Sequence, residues 1–190
     1  DDADALEIIT RSEAAQVLSV ILTRELAVKE PPAPVTMENR SGVNTNAFLL
    51  ELRRVPQPIL DAFNKHSWRY VIDYDYITNL GRQVGVSCTG ATNYADKAIY
   101  ISEAGATLHE FGHFLDSILN NSAVCERLYC EEAQNSCLRA YAKTSAAEYF
   151  ADFFDYWITN RQSAMKMTWL QASAPQTYAY FEALEADVWS

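Results

Sequence analysis

His109-Glu110-Phe111-Gly112-His113 places two of the three histidines of this 190-residue sequence four residues apart, with a carboxylate beside the first. On a helix, residues i and i+4 share a face. Two neutral imidazoles presented that way can reach one zinc ion, and the glutamate stands where it can act on a water at the metal. The pentapeptide therefore predicts a zinc hydrolase of the peptidase kind, with one Zn2+ per chain. The rival reading is a surface helix whose histidines bind nothing.

Working outward, Thr107 to Leu119 reads as the helix that carries the motif, with Leu108, Phe111, Leu115 and Ile118 facing inward. Upstream, Trp68 to Tyr74 and Ala98 to Ser102 are rich in aromatic and branched residues and read as strands. Gly81, Gly85 and Gly90 punctuate a turn-rich stretch around a short strand, Val84 to Cys88. Before the sheet, helices are expected at residues 12 to 28, Ala47 to Arg54 and Ile59 to Lys65, the first broken by Pro31, Pro32 and Pro34. A polar loop then runs to Asn46, and His66 reads as a cap or surface residue. After the motif, Asn120 to Ser136 reads as an irregular excursion, followed by helices from Ser145 to Ile158 and from Gln176 to Val188. The order predicts an α+β fold in a single domain over residues 1–190. Its parts are N-terminal helices to about residue 66, a small mixed sheet with the motif helix to about 120, and a C-terminal helical part from 121.

Composition narrows the function classes. The formal charge of -10 argues against a nucleic-acid partner, which calls for a basic stripe. No apolar run approaches the ~20 residues of a membrane span. Cys88, Cys125, Cys130 and Cys137 lack a C-x-x-C pair, so two disulfides in an oxidising compartment fit better than a structural zinc site. With an opening Asp1-Asp2-Ala3-Asp4, this predicts a secreted, extracellular protein.

A catalytic zinc takes three protein ligands and leaves a fourth position open. The apolar helix after Ser145 offers Glu148, Asp152 and Asp155, at spacings of four and seven that put all three on one face. A carboxylate in so apolar a stretch is costly unless paired or metal-bound. Glu148 is thus expected as the third ligand. Asp152, one turn on, is expected to accept a hydrogen bond from the far nitrogen of a ligand histidine, and Asp155 to be structural.

His109 to Asp116, His-Glu-Phe-Gly-His-Phe-Leu-Asp, together with Tyr141 to Asp152, Tyr-Ala-Lys-Thr-Ser-Ala-Ala-Glu-Tyr-Phe-Ala-Asp, resembles the catalytic domain of anthrax lethal factor. The secreted bacterial Pro-Pro endopeptidases, which share that zincin fold, are similar too. Ala174-Pro175-Gln176-Thr177-Tyr178 also resembles the start of the family's closing helix. The resemblance implies a toxin-like metallopeptidase with His109, His113 and Glu148 on zinc and Glu110 as general base. Tyr141, seven residues before Glu148, is implied as the donor to the oxyanion. Asp116 is placed with Asp152 behind the ligands. Ala147 stands where the Pro-Pro endopeptidases carry an acid, Asp152 where the family carries glutamate, and residues 79–93 lack the tryptophan-bearing substrate loop.

The expected substrate is a protein or peptide in extended conformation, added as an extra strand along Ile99, Tyr100 and Ile101 if that strand lies at an edge. The alternative function is a catalytically idle zincin-fold module for binding or adhesion. An intact Glu110 and Tyr141 speak against it.

Overall fold

A computed structural model of the protein describes residues 33–189. The helix expected at residues 12 to 28 lies outside the described residues. Ala98-Ile99-Tyr100-Ile101 forms a strand, β4, that is buried along its whole length. Continuous apolar character is what a strand covered on both faces requires. The other strands of the sheet are β1 (Met37–Asn39), β2 (Arg69–Ile72) and β3 (Gly90–Asn93), in the order β1-β2-β4-β3. β1, β2 and β4 are parallel, with Tyr70 opposite Ile99. β3 runs antiparallel to β4, with Thr92 opposite Ile99.

That order corrects the expectation of an edge at Ile99, Tyr100 and Ile101. Both backbone sides of β4 are already paired, one by β2 and one by β3, so nothing can add there. The edge beside the motif helix is β3, built from small and polar residues that tolerate partial exposure.

Side chains alternate across β4 as the pleat dictates. Ile99 and Ile101 join the main core, while Ala98 and Tyr100 pack with Val71 and Ile77 on the other face. Eight α-helices are present among the described residues. Before the sheet closes come α1 (Asn46–Leu52), α2 (Gln57–Lys65) and α3 (Tyr74–Val84). After it come α4 (Thr107–Leu119), α5 (Ser122–Glu132), α6 (Ala146–Asn160), α7 (Ala164–Ser173) and α8 (Pro175–Ala186). His66 is an exposed C-cap of α2. The helices and small mixed sheet make the α+β class expected from the pattern.

Three local expectations give way. The stretch from Tyr74 to Val84 is helical, because Asp73 caps it by accepting from the Tyr76 N–H at 2.9 Å and Gly85 ends it at φ 74°. The strand expected at Val84 to Cys88 is therefore displaced to Gly90–Asn93.

The excursion from Asn120 to Ser136 is helix α5, and no disulfide joins Cys88, Cys125, Cys130 or Cys137, which are free thiols. Cys125 donates to Asp116 Oδ1 at 3.2 Å, Cys88 donates to the Ile77 carbonyl at 3.6 Å, Cys130 is exposed and Cys137 is half-buried. What ties α5 down is Glu132. Its buried carboxylate accepts from the N–H groups of Gln176 and Thr177 at 2.8 Å each and from the Thr177 hydroxyl at 2.7 Å. It thereby caps α8 from outside, where the helix dipole favours negative charge.

Candidate metal centre

Helix α4 is set on the sheet by Tyr70, whose hydroxyl shares a 2.7 Å hydrogen bond with Thr107 at the helix start. Phe111, Phe114 and Leu115 bury its core face. On the opposite side it crosses α6 at unusually close range. A Cβ added at Gly112 would lie 2.6 Å from Ala151 Cα and 2.9 Å from the Ala151 carbonyl oxygen. Glycine facing alanine is thus what lets the two backbones approach. Ala151 lies between Glu148 and Asp152 in sequence, so the approach carries both carboxylates to the histidines.

The first turn of α6 shows how Glu148 becomes available. Ser145 caps the helix by accepting from the Glu148 N–H at 3.2 Å. Serine three residues before glutamate is a capping-box pattern, in which the glutamate would reach back to the cap. Here the carboxylate turns to the imidazoles instead, with Oε2 3.1 Å from His109 Nε2 and 3.4 Å from His113 Nε2. The two Nε2 atoms are 3.1 Å apart.

With each histidine in its neutral Nδ1–H form, those three atoms turn lone pairs toward one another. Asp152 Oδ1 lies 2.6 Å from His109 Nδ1 and, ionised, can only accept, so the ring proton sits on Nδ1 and leaves Nε2 bare. Glu148 Oε2 accordingly is buried and accepts no hydrogen bond, despite the close nitrogens. An arrangement of this kind is repulsive unless positive charge, a metal ion or a proton, sits between the atoms. A tetrahedral zinc with bonds of ~2.0–2.1 Å has ligand-to-ligand edges of roughly 3.3 Å, which these separations match. His109, His113 and Glu148 therefore fit one metal ion as a His/His/Glu cluster.

The electrostatics make the same demand for positive charge. Burial favours a neutral Glu148, yet the two histidines hold its carboxyl far below the ordinary range. Burial disfavours charge on His109, but Asp152 and Glu148 outweigh it and raise the imidazole to about 9. Burial works against Asp152 as well, and Arg139 and His109 overcome it to keep the carboxylate ionised.

Glu110 stands beside the triad and is buried. Burial raises its pKa. Thr92 on β3 donates to its Oε2 at 2.8 Å. Gly90 passes so close beneath that a Cβ there would sit 2.6 Å from Oε1. Tyr141, half-exposed on the 3-10 turn Ala140–Lys143, has its ring 5.9 Å from that of His109. Burial and the neighbouring Glu148 push its phenol up to about 12.

Two cavities meet at these residues. One of about 510 Å³ lies toward Ser87, Thr89, Gly105 and Arg139. The other, about 350 Å³, lies toward Thr92, Tyr94, His113 and Ala147. His109, Glu110, Gly90 and Tyr141 line both, so the centre sits midway along a continuous cleft.

The structure thus brings His109, Glu110, His113, Tyr141, Glu148 and Asp152 together. Asp116 accepts the Cys125 thiol at 3.2 Å and interacts with His113 through charge. Asp155 accepts from Thr159 at 3.1 Å and lines the cleft. Gly90, Thr92, Tyr94 and Arg139 escape a reading of the sequence. Only Arg139 had a signal, since a carboxylate as buried as Asp152 needs a cation near it.

Among solved structures, the chain is similar to the PRO-PRO endopeptidase PPEP-2 from Paenibacillus alvei, with TM-score 0.58 and 20% identity over 78% of this chain and 96% of that one. The α+β fold is shared with that protein. No curated protein sequence matches the chain. The family model for the N- and C-terminal domain of anthrax toxin lethal factor matches residues 74–184, which spans both α4 and α6 with every residue of the centre. By that match over more than half its length, the chain belongs to the anthrax toxin lethal factor family.

Proposed function

We propose that this protein is a zinc-dependent endopeptidase. The observation that carries the reading is the convergence of three ligating atoms, His109 Nε2, His113 Nε2 and Glu148 Oε2, on a buried to half-buried spot directly beside a buried carboxylate with a raised pKa. The family match and the fold shared with an endopeptidase support it.

His109, His113 and Glu148 would hold the zinc ion, which would supply Lewis acidity to a water and to the peptide carbonyl. Glu110 removes the proton from the attacking water and delivers it to the leaving amine. Its burial suits that task, because a base with a raised pKa holds the proton long enough to return it. Tyr141 donates its phenolic hydrogen to the oxyanion that develops at the carbonyl; a pKa of about 12 keeps that proton in place across the working range. Asp152 fixes the His109 tautomer so that Nε2 stays free to ligate. The peptide lies extended along the outer edge of β3, which pairs with no strand among the described residues.

The test is Glu110→Gln against a diverse peptide library, with and without a zinc chelator, read by mass spectrometry. The wild type should cleave in a chelator-sensitive way. Glu110→Gln should lose at least ~10³-fold in kcat while still holding about one zinc per chain. Undiminished cleavage by the variant sinks the assignment.

A further inference from the structure

Arg139 stands at a junction that none of the proposed catalytic roles uses. Its Nε donates to Asp152 Oδ2 at 2.6 Å and its Nη2 to Asp152 Oδ1 at 2.5 Å, a two-pronged fork on one carboxylate. The same Oδ1 receives the His109 Nδ1 proton at 2.6 Å. Arg139 Nη2 itself approaches His109 Nδ1 to 3.5 Å. On its other side, the guanidinium carbon lies 5.3 Å from the centre of the Tyr141 ring, within cation–π range.

The chemistry of this fork is specific. An arginine held bidentate fixes the plane of a carboxylate as well as its charge, which a lysine cannot do. Without the fork, Asp152 could rotate about its terminal bond and the His109 ring would lose its orienting acceptor. The Asp152 side chain is nearly buried, whereas that of Arg139 is 61% exposed, so the arginine reaches in from the cleft wall. It lines the 510 Å³ half of the cleft and, on its far side, a third cavity of about 320 Å³ shared with Cys137, Tyr156 and Asn160. Removing its head group therefore opens space without disturbing a packed core.

We propose that Arg139 is a positioning residue that ties the two working parts of the site together: its fork sets the carboxylate that orients the ligand His109, and its flat face carries the ring of Tyr141. The inference rests on the metallopeptidase reading above. Its effect is exerted through Asp152 and Tyr141, not by contact with substrate.

The experiment compares wild type, Arg139→Met, Arg139→Lys, Asp152→Asn and the Arg139→Met/Asp152→Asn double variant. Zinc affinity is measured by competition with a chelating dye, and kcat and KM on a peptide that the wild type cleaves. Arg139→Met should hold zinc about tenfold or more less tightly and lose kcat by a similar factor, with KM little changed. Arg139→Lys should resemble the Met variant, since charge without the fork does not restore the plane. In the double variant, zinc affinity should be no lower than in Asp152→Asn alone, because one residue acts through the other. Wild-type zinc affinity in Arg139→Met, a change confined to KM, or additive losses in zinc affinity would each overturn the proposal. The dye measurement needs no cleavage. A wild type that binds zinc and cleaves nothing would defeat the peptidase reading while the arms on Asp152 still decide the clamp.

Discussion

Gly90 is the smallest residue of the centre and one of the most constrained. A Cβ there would meet Glu110 Oε1 at 2.6 Å and Cγ at 2.8 Å, so any side chain at this position forces the Glu110 side chain to move. Gly90→Ala should push Glu110 off its Thr92 hydrogen bond and lower kcat by about tenfold or more, since small misplacements of a reacting group are costly. Zinc content should stay near one per chain, because the ligands lie on other elements. Steady-state kinetics beside metal analysis checks both halves; unchanged kcat would show that Glu110 has room to adjust. The same scale shows what a sequence conceals. His109, Glu110 and His113 are readable because helical spacing alone puts them together, and Glu148 and Asp152 because charges in an apolar helix need a reason. Gly90, Thr92 and Tyr94 are not, since their role depends on the register of an edge strand with Ile101 and Ile99 that no local pattern encodes.

At the scale of elements, the centre is the product of one helix crossing. α4 supplies two of the proposed ligands, α6 the third together with Asp152, and Gly112 against Ala151 sets the gap between the helices. Gly112→Ala places a methyl against backbone that cannot rotate aside, so the helices must part. The expected cost is about 1–3 kcal/mol of unfolding free energy, with weakened zinc binding, as overpacked contacts of this kind behave. Urea denaturation and dye competition measure the two effects; a variant as stable and as zinc-tight as wild type would show that the approach is not limiting. The elements themselves were unevenly legible. α4 falls where its apolar spacing puts it, and β2 and β4 where branched and aromatic residues cluster. α3 was hidden because its aromatic start looks like strand, although Asp73 and Gly85 bracket it with a cap and a stop. α5 was hidden by its cysteines, and its anchor, Glu132 on the start of α8, is a long-range contact. The three-residue β1 and the weakly striped α7 offer little pattern to detect.

For the folded molecule, several protons are held more tightly than in the unfolded chain. Burial raises Tyr70 well above the ordinary phenol range, and Tyr149 to about 12. Burial and the adjacent Asp116 raise the Cys125 thiol to about 12. In the unfolded chain such groups lose their protons near ~10 for tyrosine and ~8.5 for cysteine. The folded state therefore binds more protons above those values. Its stability from these groups is full below about pH 8.5 and is lost as pH rises toward 12. Urea midpoints should fall steadily from about pH 9 upward; a midpoint constant from pH 9 to pH 11 would contradict the burial of these groups. By the same cause, Cys125 should resist alkylation at pH 8 while the exposed Cys130 reacts.

The open edge of β3 is only four residues long, about 13 Å of backbone. Half of those residues aim their N–H and C=O outward, so an added strand gains about four main-chain hydrogen bonds. At about 1 kcal/mol net each, these are offset by the ~1–2 kcal/mol it costs to order every backbone residue of the incoming peptide. On the proposed function, the edge can fix the reading frame of a peptide but cannot hold it. Affinity, and with it the choice of what is cut, falls to the side chains that fill the two halves of the cleft.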